Sequence, residues 1–482
     1  MTIEQIVFFA FAAPVFMWGV SARMRPWGLM VGSLLAALWW VGGTQVATVD
    51  VILSLLLLGL IVSVWWLVQP TGDHTEENSS GTITTEDGYA LVIMTSVLLL
   101  LGGFALMQTD NLSIAVLPVL GVVTLGIGAN SLSQIAPSVR DQLAQSIAWL
   151  LIILIICLLV SLKLPALATF WGELLRWDTT SVIADSPIVW IGFSYVAFRI
   201  MAVLLDYRAG RLAKQGYSLR DLTVYVLFFP AFTAGPIDRA GRFIPELNQP
   251  QDLSSARLVE GSTRIAVGLF KKFVIADSLA LVSMSPALID QTETTLGLWV
   301  LLYLYAFQIY FDFSGYSDVA IGLGRLYGIT LPENFDRPYI QPNVQQFWQR
   351  WHMTLSTWFR VYYFTPFSRL LIRSSYRPPQ FVIILLSQVT TMALIGLWHG
   401  ITVNFFLWGV WHGVGLFLHK MLADNTRGWH KRVTATVWPR RIIYFGSVFV
   451  TFHFVAIGWV FFALPGPEDS LTILTRLFGV GG

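Results

Sequence analysis

The chain carries one cysteine in 482 residues, Cys157, set inside an apolar run. That leaves no disulfide framework, no cysteine-built zinc site and no thiol pair for redox work. Charge is scarce too: Asp, Glu, Lys and Arg make up 12% of the residues against 55% hydrophobic, and the formal net charge is +2. Such a balance excludes a polyelectrolyte surface, and no basic stripe points to nucleic acid. The Gly-x-Ser-x-Gly elbow of serine hydrolases and the His-Glu-x-x-His motif of zinc proteases are both missing. Neither an internal repeat nor a heptad pattern is present, and the Gly/Pro-interrupted segments do not recur in matching halves, which weakens a transporter reading. Glu4 is the only charge before the first apolar run, so the basic start of a cleaved signal peptide is absent and the first segment is expected to remain.

Long apolar runs are abundant. A bilayer core of roughly 30 Å is spanned by about 17–25 apolar residues, and candidate spans lie at 4–20, 27–46, 51–69, 90–107, 112–129, 146–163, 187–205, 295–311, 381–398, 402–419 and 442–463. Shorter stretches near 222–235 and 262–284 read as re-entrant or tilted. The expected fold is an all-α polytopic membrane protein with about 11–13 membrane segments, re-entrant and interfacial helices included. Three regions are expected: an N-terminal transmembrane module over 1–140 with a polar loop at 70–89, a core over 146–465, and a short tail over 466–482. Positive loops stay cytoplasmic. Arg23 and Arg25, then Arg140, Arg208, Arg211, Lys214 and Arg220, and the basic residues of 420–441 therefore face the cytoplasm, and the turn after residue 398 faces outward.

Polar residues beside or inside the later spans form three clusters. In Phe229-Pro230-Ala231-Phe232-Thr233-Ala234-Gly235-Pro236-Ile237-Asp238-Arg239, two prolines and a glycine forbid a regular helix. Broken backbone at membrane depth needs protein or a cavity around it; the alternative is an interfacial loop in which Asp238 and Arg239 pair locally. The second cluster, Tyr310-Phe311-Asp312-Phe313-Ser314-Gly315-Tyr316-Ser317-Asp318, leads to Pro332-Glu333-Asn334-Phe335. A charge within a spanning helix costs roughly 2.5–3.5 kcal/mol on insertion scales, so Asp312 and Asp318 need partners or water. Either they join helices or they take part in chemistry.

The third cluster begins at Phe347-Trp348-Gln349-Arg350-Trp351-His352. At 100° per residue Phe347, Trp351, Leu355, Trp358 and Tyr362 share a stripe opposite Gln346, Arg350, Ser356, Thr357 and Arg360, which predicts one amphipathic helix along a boundary. It continues to Trp398-His399-Gly400 and then Asn404 to Gly413, where His399 lies between apolar runs. An ionisable group at membrane depth is by default a functional hypothesis, and His352 is its best partner. A neutral imidazole can take a proton from a hydroxyl. The bland reading is a satisfied structural histidine. The metal reading suffers because His399, His412 and His419 lack a local carboxylate.

The stretch from about 187 to 465 closely resembles the membrane-bound O-acyltransferases, particularly the bacterial branch with alginate O-acetyltransferase and teichoic-acid D-alanyltransferase. The resemblance rests on Gly235 to Arg239, Tyr310 to Asp318, Leu331 to Phe335, Phe347 to Arg360, and Trp398-His399-Gly400. It implies a helical core around a tunnel between a cytoplasmic acyl donor and an outer acceptor, in a bacterial inner membrane. His399 is then the catalytic base, with His352 in the same tunnel orienting or polarising the thioester. Asp238, Asp312, Ser314, Asp318, Asn334, Trp348, Trp351, Trp398 and Asn404 are expected to line the tunnel or bind substrate. No bound cofactor is implied; the co-substrate is an acyl thioester, acetyl-CoA or an acyl carrier protein. A short acyl group, acetyl foremost, would pass to a hydroxyl of an extracytoplasmic polysaccharide or of a partner protein; D-alanyl transfer to teichoic acid and lipid or protein acylation are alternatives, and a proton-coupled transporter is the rival of another class. The implied partner is an extracytoplasmic acyltransferase of the SGNH-hydrolase type, docking near the outer ends of the 381–398 and 402–419 spans with Trp408 and Trp411 as exposed anchors.

Overall fold

The computed structural model describes residues 1–42, 48–69, 84–109, 137–175, 190–212, 216–376 and 378–480, with scattered residues between 116 and 128. Among them there are helices and no strands. Helices stand at the expected spans, except that most of 112–129 and the start of 187–205 lie outside the described residues. By length and apolarity alone, five helices among the described residues qualify to cross a bilayer: Val51–Val68, Gln142–Lys163, Thr295–Leu326, Gln380–His399 and Val437–Ala463. Residues 70–83 of the polar insert are not described. Its end is helical: Thr84 accepts the Asp87 N–H at 3.1 Å and caps the helix Thr85–Thr109, as a threonine before an acidic first turn should.

The described residues pack as two compact units, Met1–Ser262 with Ala320–Leu331, and Thr263–Val319 with Pro332–Gly482. In the first, the helix Leu219–Leu227 is buried along its whole length. Asp87 accepts the Leu219 N–H at 2.8 Å, placing a carboxylate on the positive helix end. The broken segment after it solves its backbone problem inside protein: Arg199, 2% exposed, donates to the carbonyls of Val226 at 2.9 Å and Ala231 at 2.7 Å. Arg25 reaches Asp252 at 2.7 Å, and the Tyr327 hydroxyl donates to the Phe9 carbonyl at 2.9 Å, so the first helix belongs to this unit's core.

In the second unit the helices Gln380–His399 and Val403–Val433 form a hairpin whose turn is capped by Thr402, which accepts the Phe405 N–H. Glycines let the two backbones touch. A Cβ on Gly396 would lie 2.0 Å from the Phe405 oxygen, and one on Gly413 would lie 2.6 Å from the Val389 Cα. Small residues at such crossings replace the hydrophobic drive that lipid cannot supply. The hairpin thereby fixes His399 as the last residue of its helix.

The boundary helix is not continuous. Val344–Arg350 ends, Trp351 and His352 leave helical geometry, and a new helix runs Met353–Phe359 into a π-helical turn at Arg360–Phe364. The 334–336 segment enters the gap: Met353 N–H donates to the Asn334 carbonyl at 2.9 Å and Asp336 N–H to the Arg350 carbonyl at 3.0 Å. The aromatic stripe is nevertheless buried, from Phe347 and Leu355 at 1% to Tyr362 at 9%.

Candidate functional site

His352 stands at the gap with φ +42°, one of two non-glycine residues with left-handed backbone among the described residues, the other being Arg337. Such conformations cost of order 1–3 kcal/mol and cluster where structure serves function. The ring is 1% exposed. Its Nδ1 lies 3.2 Å from Asn334 Oδ1, its ring stands nearly perpendicular to that of Phe313 with centroids 4.6 Å apart, and Nε2 has no hydrogen-bond partner among the described residues. It lies outside the spans, and burial, followed by the charge His399 can carry, holds its imidazole well below the ordinary histidine value.

Trp398 connects the two histidines: its ring lies 6.1 Å from His352 and 4.6 Å from His399. Around His399 stand Phe405 at 6.2 Å, Trp408 at 5.4 Å and Phe462 at 5.0 Å, the last two edge to face. The structure thus brings His352, Asn334, Trp398 and His399 together. Trp348 and Trp351 belong to the adjoining aromatic packing, Trp351 against Phe335 at 5.1 Å and Trp459 at 5.2 Å, Trp348 against Trp408 at 5.7 Å and His412 at 5.2 Å. The Ser314 hydroxyl is buried with no hydrogen-bond partner among the described residues.

Other expected site residues are engaged elsewhere. Asn404 donates to the carbonyls of Leu464 at 2.7 Å and Gly466 at 3.0 Å and to Ser470 Oγ at 3.1 Å, tying down the chain after Val437–Ala463. Asp318 accepts from Arg264 at 2.8 Å and Lys271 at 2.6 Å, while Asp312 pairs with Lys272. Arg264 also holds Glu333 at 2.7 Å. The approach is made by glycines: a Cβ on Gly268 would lie 2.6 Å from the Gly315 oxygen. Asp238 lies in the first unit. Its partner is Arg242 and not the Arg239 side chain, which reaches Asp206 at 3.5 Å; Asp238 takes only the Arg239 backbone N–H, at 2.7 Å. Burial pushes the Asp238 carboxyl above its ordinary value against the pull of Arg242.

Trp408 is not an exposed anchor. It is 1% exposed and packed on His399, and Trp411 is half-buried, its indole N–H donated to the Phe454 carbonyl at 2.9 Å. An apolar run cannot by itself distinguish a lipid-facing from a protein-facing indole. Sequence reasoning also passed over Arg264, Lys271, Lys272 and Phe462. His412 is fully buried, with neither ring nitrogen hydrogen-bonded among the described residues. No three His, Cys, Asp or Glu side chains converge as a metal site among those residues.

The sequence model of the membrane-bound O-acyltransferase family matches residues 135–464. The chain belongs to that family. Among its relatives is a protein of Pseudomonas syringae pathovar tomato named "Probable alginate O-acetylase", 34% identical over 354 residues, which are 71% of this chain and 62% of the relative. A peptidoglycan O-acetyltransferase of Helicobacter pylori is 33% identical over 54% of this chain and 47% of its own length. A teichoic acid D-alanyltransferase of Streptococcus thermophilus is 30% identical over 60% of this chain and 72% of its own. The matched stretch thus spans about half to two thirds of the length of these O-acetylases. The family match, residues 135–464, contains both His352 and His399.

Proposed function

We propose that this protein transfers a short acyl group, acetyl foremost, from a cytoplasmic thioester to a hydroxyl on the outer face of a bacterial inner membrane. The observation that carries the reading is the convergence of His399 and His352 on Trp398, within the stretch that the family's sequence model matches. His399 takes the proton of the attacking hydroxyl as its oxygen bonds to the acyl carbon. The thioester C–S bond breaks, and the departing thiolate recovers the proton. Coenzyme A or an acyl carrier protein supplies the thioester, and the acceptor is a polysaccharide or a hydroxyl on a partner protein of the SGNH-hydrolase type. Relatives at 33–34% identity carry O-acetylation in their names, against 30% for the D-alanyltransferases, which favours acetyl.

The test is purified protein in lipid with acetyl thioester, followed by free thiol release with and without a candidate partner and glycan. Release coupled to acyl-glycan formation supports the reading. Proton flux without thioester consumption would replace it with a transporter.

A further inference from the structure

Asn334 is 0% exposed and makes four hydrogen bonds that leave its orientation no freedom. Its Oδ1 accepts the Thr354 backbone N–H at 3.3 Å and the Thr354 hydroxyl at 2.9 Å, and its Nδ2 donates to Ser317 Oγ at 3.1 Å. A backbone N–H can only donate, so the atom facing it is the oxygen. That same oxygen faces His352 Nδ1 at 3.2 Å, and an oxygen of this kind can only accept. The Nδ1 of His352 therefore bears the proton, and in a neutral imidazole the other nitrogen must be a lone pair.

We propose that Asn334 is a positioning residue that holds His352 as the Nδ1–H tautomer, so that His352 presents a fixed lone pair at Nε2 and no N–H to the site. This rests on the acyl-transfer reading above and changes one part of it. A ring whose N–H is already committed has nothing to donate to a thioester carbonyl, so His352 does not polarise the thioester. A bare Nε2 presents a lone pair, which accommodates positive charge in the site when His399 gains the hydroxyl proton, whereas an N–H at that nitrogen would oppose it. The logic is that of a base whose neighbour is oriented by a third group. The left-handed backbone of His352 and the perpendicular ring of Phe313 help fix the pose of the imidazole.

His352 meets Phe313, Asn334 and Trp398, and the charged and titratable groups near these residues in the chain are His399 on the Gln380–His399 helix, Tyr310, Asp312 and Asp318 on the Thr295–Leu326 helix, and Glu333, Asp336 and Arg337 in the intervening segment, with Arg350 and Arg360 flanking His352 itself. The carboxylates are ion-paired: Asp312 with Lys272, Asp318 with Arg264 and Lys271, Glu333 with Arg264 and Asp336 with Arg350. Histidine is the side chain that ordinarily titrates near neutrality, which leaves His352 and His399 as the pair to watch.

The first readout needs no activity. With only seven histidines, magic-angle-spinning NMR of 15N-histidine-labelled protein in lipid resolves tautomers, and the His352 signal is the one lost in His352→Asn. Asparagine tolerates left-handed backbone and its amide can replace the Nδ1–H, so this variant should fold. We expect a protonated Nδ1 and a bare Nε2; a protonated Nε2 overturns the proposal whether or not the protein transfers acyl groups. The second readout is the pH profile of Asn334→Asp. A carboxylate there still accepts the N–H but favours the imidazolium, so the His352 titration, and with it the acid limb of kcat, should move up by roughly 1–3 pH units. A folded, active Asn334→Asp with an unmoved His352 titration contradicts it. Failure of thiol release in wild type, with the tautomer as expected, would instead sink the acyl-transfer reading alone.

Discussion

Gly409 rests on the backbone of Met392: a Cβ placed on it would lie 2.3 Å from the Met392 carbonyl oxygen and 2.7 Å from the Ala393 Cα. Backbone cannot step aside as a flexible side chain can, so Gly409→Ala must spread the hairpin that ends in His399. Overpacking of this kind costs about 1–3 kcal/mol. The expected outcome is a lower unfolding temperature in detergent and weaker activity. Gly428 has nothing within 4 Å of a Cβ, so Gly428→Ala should be neutral or slightly stabilising. Equal behaviour of the two variants in a thermal-shift measurement would show that the seam is not tight.

The two aspartates of the second cluster should behave differently. The Asp318 side chain is 10% exposed and shared by Arg264 and Lys271, whereas that of Asp312 is 49% exposed on Lys272. Removing one partner of a buried pair leaves uncompensated charge and costs roughly 3–5 kcal/mol, a range that partial exposure of the cations should bring to its lower end. Asp312 holds one cation where Asp318 holds two, so its removal leaves less charge unpaired. Asp318→Asn should therefore lower stability severalfold more than Asp312→Asn in denaturation experiments. The reverse order would mean that the cations do not need Asp318.

Orientation is testable at Gly428, where a side chain meets open space between Arg427 and Lys431. In a Cys157→Ser background, Gly428→Cys should react with a membrane-impermeant thiol reagent only after cells are opened. Labelling in intact cells would invert the topology.

Apolar run lengths made the helical membrane fold legible, and the cost of an ionisable group at depth singled out His399 and His352 as a pair. The break at His352 was not legible, because the 100° stripe from Phe347 to Tyr362 runs through it undisturbed. What interrupts the helix is Asn334, bonded across 20 residues to Thr354. The partners of Asp312 and Asp318 were hidden for the same reason: Lys272 and Lys271 lie 40 and 47 residues away, with no local pattern to announce them. Burial of Trp408 depended on which side of its helix faces His399, and that is settled by helix packing. No local composition encodes it.

The central claim is that His399 supplies chemistry at the histidine pair and little to stability, since it ends its helix, half-buried, at the turn into Gly400. The most direct measurement is thiol release from an acyl thioester by purified His399→Ala beside wild type, both monodisperse and of equal thermal stability. General-base assistance is worth roughly 10²–10⁴-fold, and a loss of that size is the predicted result. Turnover within a few-fold of wild type in the folded variant would contradict the account.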